Sequence, residues 1–372
     1  VGGALATAVG FALVVTLFSE PSQRAKAMGI TGFVASGGGA VGVVLGGVIT
    51  DALSWHWVFL VNVPIGIGVC ALVLRLVDET STAATGRRLD VAGALVVTSA
   101  LMLAVHTVVK ANSAGWATFE TLGQLALSGV LMAVFVVIES RVSMPLVRLG
   151  LFRSRNLAVS NIVGVLWAGS MFAWFFMTAL YLQQVLHYSA LNVGLAFLPG
   201  NLVMMACSVS LSAKLVMRYG YRLPLGAGLG LAAVGLALFA RAPLHGSFAL
   251  DVLPAMVLLG FGGGIAFNPV LLAAMDDVDP EESGLASGAV NTAFMMGGAL
   301  GLAVLASIAA SASHGDSSAA GLLTGYRVAF AVGAALSVAA AVIGYIGLHE
   351  RPADDADLEL GALTDDEALA SY

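Results

Sequence analysis

The sequence predicts an all-α polytopic membrane protein, and three observations carry that class. Only 10% of the 372 residues are charged, where a soluble domain covers its surface with about a quarter. Mean hydropathy is +0.95. The apolar residues, 59% of the chain, fall in runs of about twenty between short polar loops, the length a helix needs to cross roughly 30 Å of hydrocarbon with its backbone satisfied internally. A disordered chain and a secreted disulfide scaffold are excluded. Net charge is −6, concentrated in the C-terminal tail and one loop, so no nucleic-acid partner is expected.

Eleven spans follow in order: 1–18, 28–50, 57–76, 89–109, 122–139, 157–181, 191–213, 223–240, 252–275, 285–309 and 326–348. The first is short. The chain opens inside this apolar run, Val1 to Phe18, with no charged leader or small-residue cleavage site, so no signal peptide is expected and the protein is expected to begin upstream. Lys and Arg test the count, because positive charge collects on the cytoplasmic side. Of the 16 such residues, 13 follow odd-numbered spans, and only Lys110, Arg241 and Arg327 follow even-numbered ones. One span missed or invented mid-chain would invert every later loop. The first span therefore runs inward and the C-terminus is expected in the cytoplasm. Arg75, Glu139, Asp251 and Asp276 all fall at span ends, so no charge stands at mid-bilayer, where it would cost about 2.5 to 3.5 kcal/mol.

Soluble-enzyme signals are absent or misplaced. Gly37, Gly39 and Gly42 satisfy a dinucleotide-binding string but lie mid-span, away from any strand-to-helix turn. There is no HExxH, no Walker lysine loop and no CxxC, and the six histidines are scattered. Cys70 and Cys207 each sit in an apolar run and read as packing residues. No catalytic residue, metal site or cofactor is expected. Gly38, Gly42 and Gly46 recur every fourth residue, so they line one helix face and would let a second helix approach closely.

Residues 37–66 resemble a stretch of the major facilitator superfamily, in its drug:proton antiporter branch of fourteen spans. That branch has a glycine-rich antiporter motif, then a Ser-Trp-Arg-Trp turn and Asn-x-Pro-x-Gly. Gly42, Gly46 and Gly47 match the first, Ser54 to Trp57 the second, and Asn62, Pro64 and Gly66 the third. Pro145-Leu146, Tyr181 to Gln183, Gly194 to Pro199, Gly284 to Gly288 and Gly297-Gly298 agree further along. Val43 stands where the motif has proline, so this helix is expected to be straighter.

The resemblance implies a major facilitator fold whose eleven spans correspond to helices 4 to 14. Residues 1–76 would be the rest of an N-terminal half, 77–150 a two-helix insertion with flanking loops, 151–348 the C-terminal six-helix half, and 349–372 an acidic disordered tail. Gly38, Gly42, Gly46 and Gly47 would pack moving helices, and Trp55, Trp57, Asn62, Pro64 and Gly66 would form a loop hinge. Asn161, Trp167, Met171, Trp174, Phe175, Asn201, Met204, Met205, Asn268, Asn291, Phe294 and Met295 would surround a midplane substrate cavity. Flat aromatic faces and adaptable methionines suit broad lipophilic or cationic compounds. The implied activity is proton-driven export by a monomer in a bacterial inner membrane, its partners being a small-molecule substrate, protons and the bilayer. A solute importer of the same fold and a non-transporting sensor or scaffold remain open alternatives.

Overall fold

The computed structural model describes residues 37–39, 41–76, 90–142, 145, 149–276, 278 and 283–350. The expected span 1–18, the start of 28–50, and the tail beyond residue 350 lie outside the described residues. Regular structure within them is wholly helical. The longer helices are α1 (Gly37–Ala52), α2 (Trp55–Leu60), α3 (Asn62–Leu76), α4 (Val91–Ala114), α5 (Phe119–Glu139) and α6 (Arg155–Leu180). They continue with α7 (Ala190–Ala206), α8 (Arg222–Phe239), α9 (Leu253–Met275), α10 (Ser283–Ala312) and α11 (Ala319–Gly347). Among the described residues, nine helical stretches are long and apolar enough to cross a bilayer; α1 is apolar but shorter.

Local sequence explains most starts. A helix leaves its first backbone N–H groups without partners, and a short polar side chain just before it accepts from one of them. Asp90, Thr118, Ser154, Ser189 and Ser318 do this for α4, α5, α6, α7 and α11. Gly115 closes α4 and Gly220 closes the helix Ala213–Tyr219, both at positive φ, a conformation that side chains with a Cβ disfavour.

Several boundaries differ from the hydropathy reading. Residues 57–76, expected as one span, are two helices broken at Val61. Pro64 has no N–H to offer the Leu60 carbonyl, and beside it the Asn62 side-chain amide donates to Val58 O at 3.0 Å. α11 begins at Ala319 on its Ser318 cap, so Arg327 lies inside the helix and donates through Nε to Ala242 O at 2.9 Å. Lys110 likewise falls within α4, where it pairs with Glu120 of α5 at 2.5 Å.

α6 to α11 enclose the main core, with Trp174, Met177, Tyr181, Phe239, Met256 and Phe330 buried in it. α6 packs on α10 and α11, while α9 packs on α7 and α8. α4 and α5 pair with each other, tied by Ser128 Oγ donating to Ala100 O at 2.8 Å, and α4 leans on α10. At one end of the bundle the last turn of α11 is clasped from two sides. Arg155 donates to Gly347 O, Arg222 donates to Tyr345 O, and Asn156 holds both the N–H and the carbonyl of His349. Cations at a helix C-terminus meet its negative dipole end. Tyr221 joins the clasp by donating to Asp276 at 3.0 Å; burial first, then the Asp276 carboxylate, pushes its phenol well above the ordinary tyrosine value.

Candidate functional site

Two aromatic groups on α6 organise the site. Trp167, Met171 and Trp174 lie four and three residues apart, so they stack along one helical stripe. Trp167 meets Phe294 of α10 at 5.5 Å and Phe267 of α9 at 6.0 Å between ring centroids, both edge-on. Phe172 approaches Phe294 at 6.2 Å. Trp174 lies against Phe175 at 4.3 Å and meets Phe197 of α7 at 6.0 Å, while Phe175 and Phe197 stack at 5.4 Å. Edge-to-face and offset contacts at these separations are the favoured geometries for aromatic rings.

Between the two groups lies a void of about 10 Å³ walled by Trp167, Ser170, Met171, Trp174, Met204 and Ser337 among others. That is room for one water. Ser170 and Ser337 hydroxyls bond each other at 3.0 Å across α6 and α11. Trp174 is 3% exposed and its Nε1 donor has no partner among the described residues. An indole N–H buried without an acceptor is costly. Met171 and Met204 are the partly exposed members of the wall, and their unbranched side chains can shift to admit something larger.

The expected cavity residues do not share one surface. Trp167 and Trp174 are core residues of the bundle. Asn161 is buried and donates to Leu157 O of its own helix at 2.8 Å, with its amide oxygen left unpartnered. Asn201 is buried at 8% exposure. Asn268 donates to Ser208 O at 2.9 Å. Met205 turns toward α1, its sulfur 3.8 Å from where a Cβ on Gly37 would stand. Asn291 and Met295 are exposed, and Phe294 and Phe175 half-buried. Phe267, 43% exposed, belongs to the same aromatic face; sequence reading passed over it, although it directly precedes the singled-out Asn268-Pro269 pair.

Among the described residues, a Cβ on Gly38, Gly42 or Gly46 would meet nothing within 4 Å, whereas one on Gly47 would lie 2.7 Å from Ala190 O. Gly194 returns the contact, 2.7 Å from Val43 O on the same terms. α1 thus crosses the start of α7 backbone to backbone, and Asp51 Oδ2 accepts from Leu191 N at 3.2 Å. Trp55, Trp57, Asn62, Pro64 and Gly66 are all exposed on α2 and α3.

Residues 1–302 match the sequence pattern of the Major Facilitator Superfamily. The chain belongs to that superfamily. It is 34% identical over 351 residues to the puromycin resistance protein of Streptomyces alboniger, covering 91% of this chain and 69% of the relative. It is 35% identical over 347 residues to the cephamycin export protein of Amycolatopsis lactamdurans, covering 92% and 70% respectively. A multidrug resistance protein of Mycobacterium tuberculosis is 34% identical over 311 residues, and the chain spans 57% of its length. Membership of this superfamily accounts for the helical architecture without strands among the described residues, and for the multiple apolar spans of a membrane transporter rather than an enzyme.

Proposed function

We propose that this transporter exports small lipophilic or cationic compounds by alternating access, driven by the proton gradient and needing no other cofactor. The observation that carries the reading is that relatives named for puromycin resistance and for cephamycin export align with 91% and 92% of the chain. The aromatic walls around Trp167 and Trp174, with methionines at the partly exposed edge, suit ligands bound by shape and ring contact more than by a fixed charge. Trp174 Nε1 supplies one oriented donor for an acceptor oxygen.

In this reading the spans are helices 4 to 14 of a fourteen-span plan, with α4 and α5 inserted between two halves and α6 to α11 forming the second. The C-terminus faces the cytoplasm of a bacterial plasma membrane, and the working unit is a monomer. The contact of Gly47 and Asp51 with the start of α7 is then a closed seam between halves.

The test is expression in a pump-deficient host, with tolerance to puromycin and ethidium measured, together with ethidium accumulation in energised inverted vesicles. Raised tolerance and gradient-dependent accumulation are expected. No change in either overturns export, and accumulation that survives collapse of the proton gradient overturns proton coupling.

A further inference from the structure

α7 and α9 are both broken, and the breaks lie side by side. α7 passes at residue 207 into a π-helical segment, Cys207–Ser212, before resuming as Ala213–Tyr219. Such a segment widens the regular ladder and turns carbonyls outward. α9 contains Pro269, which lacks the N–H that the carbonyl four residues earlier, Ile265 O, would accept.

α7 supplies a donor that α9 lacks. The fully buried Ser212 donates from Oγ to Ile265 O at 3.0 Å, standing in for the N–H that Pro269 cannot offer. Asn268 Nδ2 adds a second bond between the helices, to Ser208 O within the π-helical segment at 2.9 Å. Ser210 Oγ satisfies Ala206 O from within the same helix at 2.5 Å. Gly260 lies by Gly200, Gly264 by Met204 and Asn268 by Ser208, so α7 and α9 run parallel at a constant offset through the junction. Small residues hold the backbones close enough for it: a Cβ on Gly264 would lie 2.5 Å from Met204 O and 2.8 Å from Cys207 Cβ, and one on Gly260 would strike Gly200 O.

We infer that α7 and α9 share one junction in which Ser212 of α7 repairs the ladder that Pro269 breaks in α9 and Asn268 of α9 ties back to the π-helical segment, so that they bend and move as a single body. The physical reason is the solvent. Within hydrocarbon no water replaces a lost partner, so separating the helices at this level leaves the Ile265 carbonyl and the Asn268 amide without partners at once. Ser212 and Asn268 are therefore positioning residues: they tie the Asn268-Pro269 break to α7 rather than leaving it a free hinge. This inference concerns the fold and stands whatever the chain transports.

Cys207 sits in the junction, buried, while Cys70 is exposed. In the full chain carrying Cys70→Ser, the rate at which a small maleimide labels Cys207 therefore reports opening of the seam. Ser212→Ala is expected to raise that rate at least tenfold, and Ser212→Thr, which keeps the hydroxyl, to raise it far less. On a Pro269→Ala background the Ile265 carbonyl regains its own N–H donor, so Ser212→Ala there should change the rate less than threefold. Hydrogen exchange gives a second measurement if Pro269→Ala does not accumulate: Asn268→Ala should speed exchange in both 206–213 and 262–270. Equal effects of Ser212→Ala on the two backgrounds, or faster exchange confined to one helix, would overturn the inference.

Discussion

The stretch Trp55–Arg75 and the stretch Arg155–Val185 differ in burial in the sense opposite to their hydropathy. The first is the most apolar of the nine candidate spans and has no buried residue in its most apolar window; the second is less apolar and more than half buried. Among the described residues the two stretches also differ in composition. α2 and α3 present Val, Leu, Ile and Phe, which are as well accommodated by lipid tails as by protein. The buried face of α6 is rich in small and polar residues, including Ser160, Asn161, Gly164, Gly169, Ser170 and Thr178. In a bilayer the drive to pack comes from close approach and hydrogen bonds between helices, so the least greasy face is the one that finds a partner. Hydropathy therefore locates spans and says little about which of them form the core.

That contrast can be broken most forcefully at the α6/α10 crossing. A Cβ on Gly169 would lie 3.2 Å from Gly301 Cα, so Gly301→Leu has no room and is expected to cost at least about 3 kcal/mol, seen as loss of a monodisperse peak in size exclusion. Gly66→Leu on the exposed α3 is open by the same measure and should elute as the parent does. Equal behaviour of the two variants would erase the distinction between the regions.

A smaller effect is expected at the clasp on α11. Asn156 is 1% exposed and serves both backbone groups of His349, so Asn156→Ala should lower stability by about 2 kcal/mol through groups left unpaired. Thermal unfolding in detergent, followed by the reactivity of buried Cys207, measures it. Asn62→Ala, whose amide serves only exposed carbonyls of its own segment, should shift the same midpoint by less than about 0.5 kcal/mol.

Between the regions stands the α1/α7 contact. Asp51→Asn keeps an acceptor and should leave hydrogen exchange at Leu191 nearly unchanged. Gly47→Leu should speed that exchange severalfold by pushing α1 away, whereas Gly42→Leu, which meets nothing within 4 Å among the described residues, should not. The smallest effect belongs to Asp316, whose carboxylate is held below the usual aspartate range, first by the backbone N–H and then by the hydroxyl of Ser318. A lowered value means its contribution is present above the ordinary aspartate pKa and lost as pH falls through the lowered one. The difference in melting temperature between the parent and Asp316→Asn should therefore be slight near neutrality and vanish in strong acid.

Much of the fold was legible because its signals are local. Five helix starts follow from Asp90, Thr118, Ser154, Ser189 and Ser318, and span positions follow from apolar runs. The break at Val61 was also in reach, since Asn62-Val63-Pro64 carries the residues that interrupt a ladder. The site was less legible. Trp167 and Trp174 were found by residue type, yet their burial was not, because seven-residue spacing gives a shared face without saying what lies opposite. Gly47 shows the same limit: spacing placed it beside the stripe Gly38, Gly42 and Gly46, but only the structure shows that the start of α7 is what it meets.

By itself the sequence determined the class, the approximate place of the described spans and the superfamily, since each depends on composition, on apolar runs or on short motifs. Only the tertiary structure decided which faces are buried, that Asn268 is spent on Ser208, and that Ser212 completes a carbonyl that Pro269 leaves open on another helix. Those outcomes depend on pairs more than fifty residues apart, and in a bilayer the energy that selects them comes from fit between backbones and from donors meeting acceptors, neither of which is written in the hydropathy of a single span.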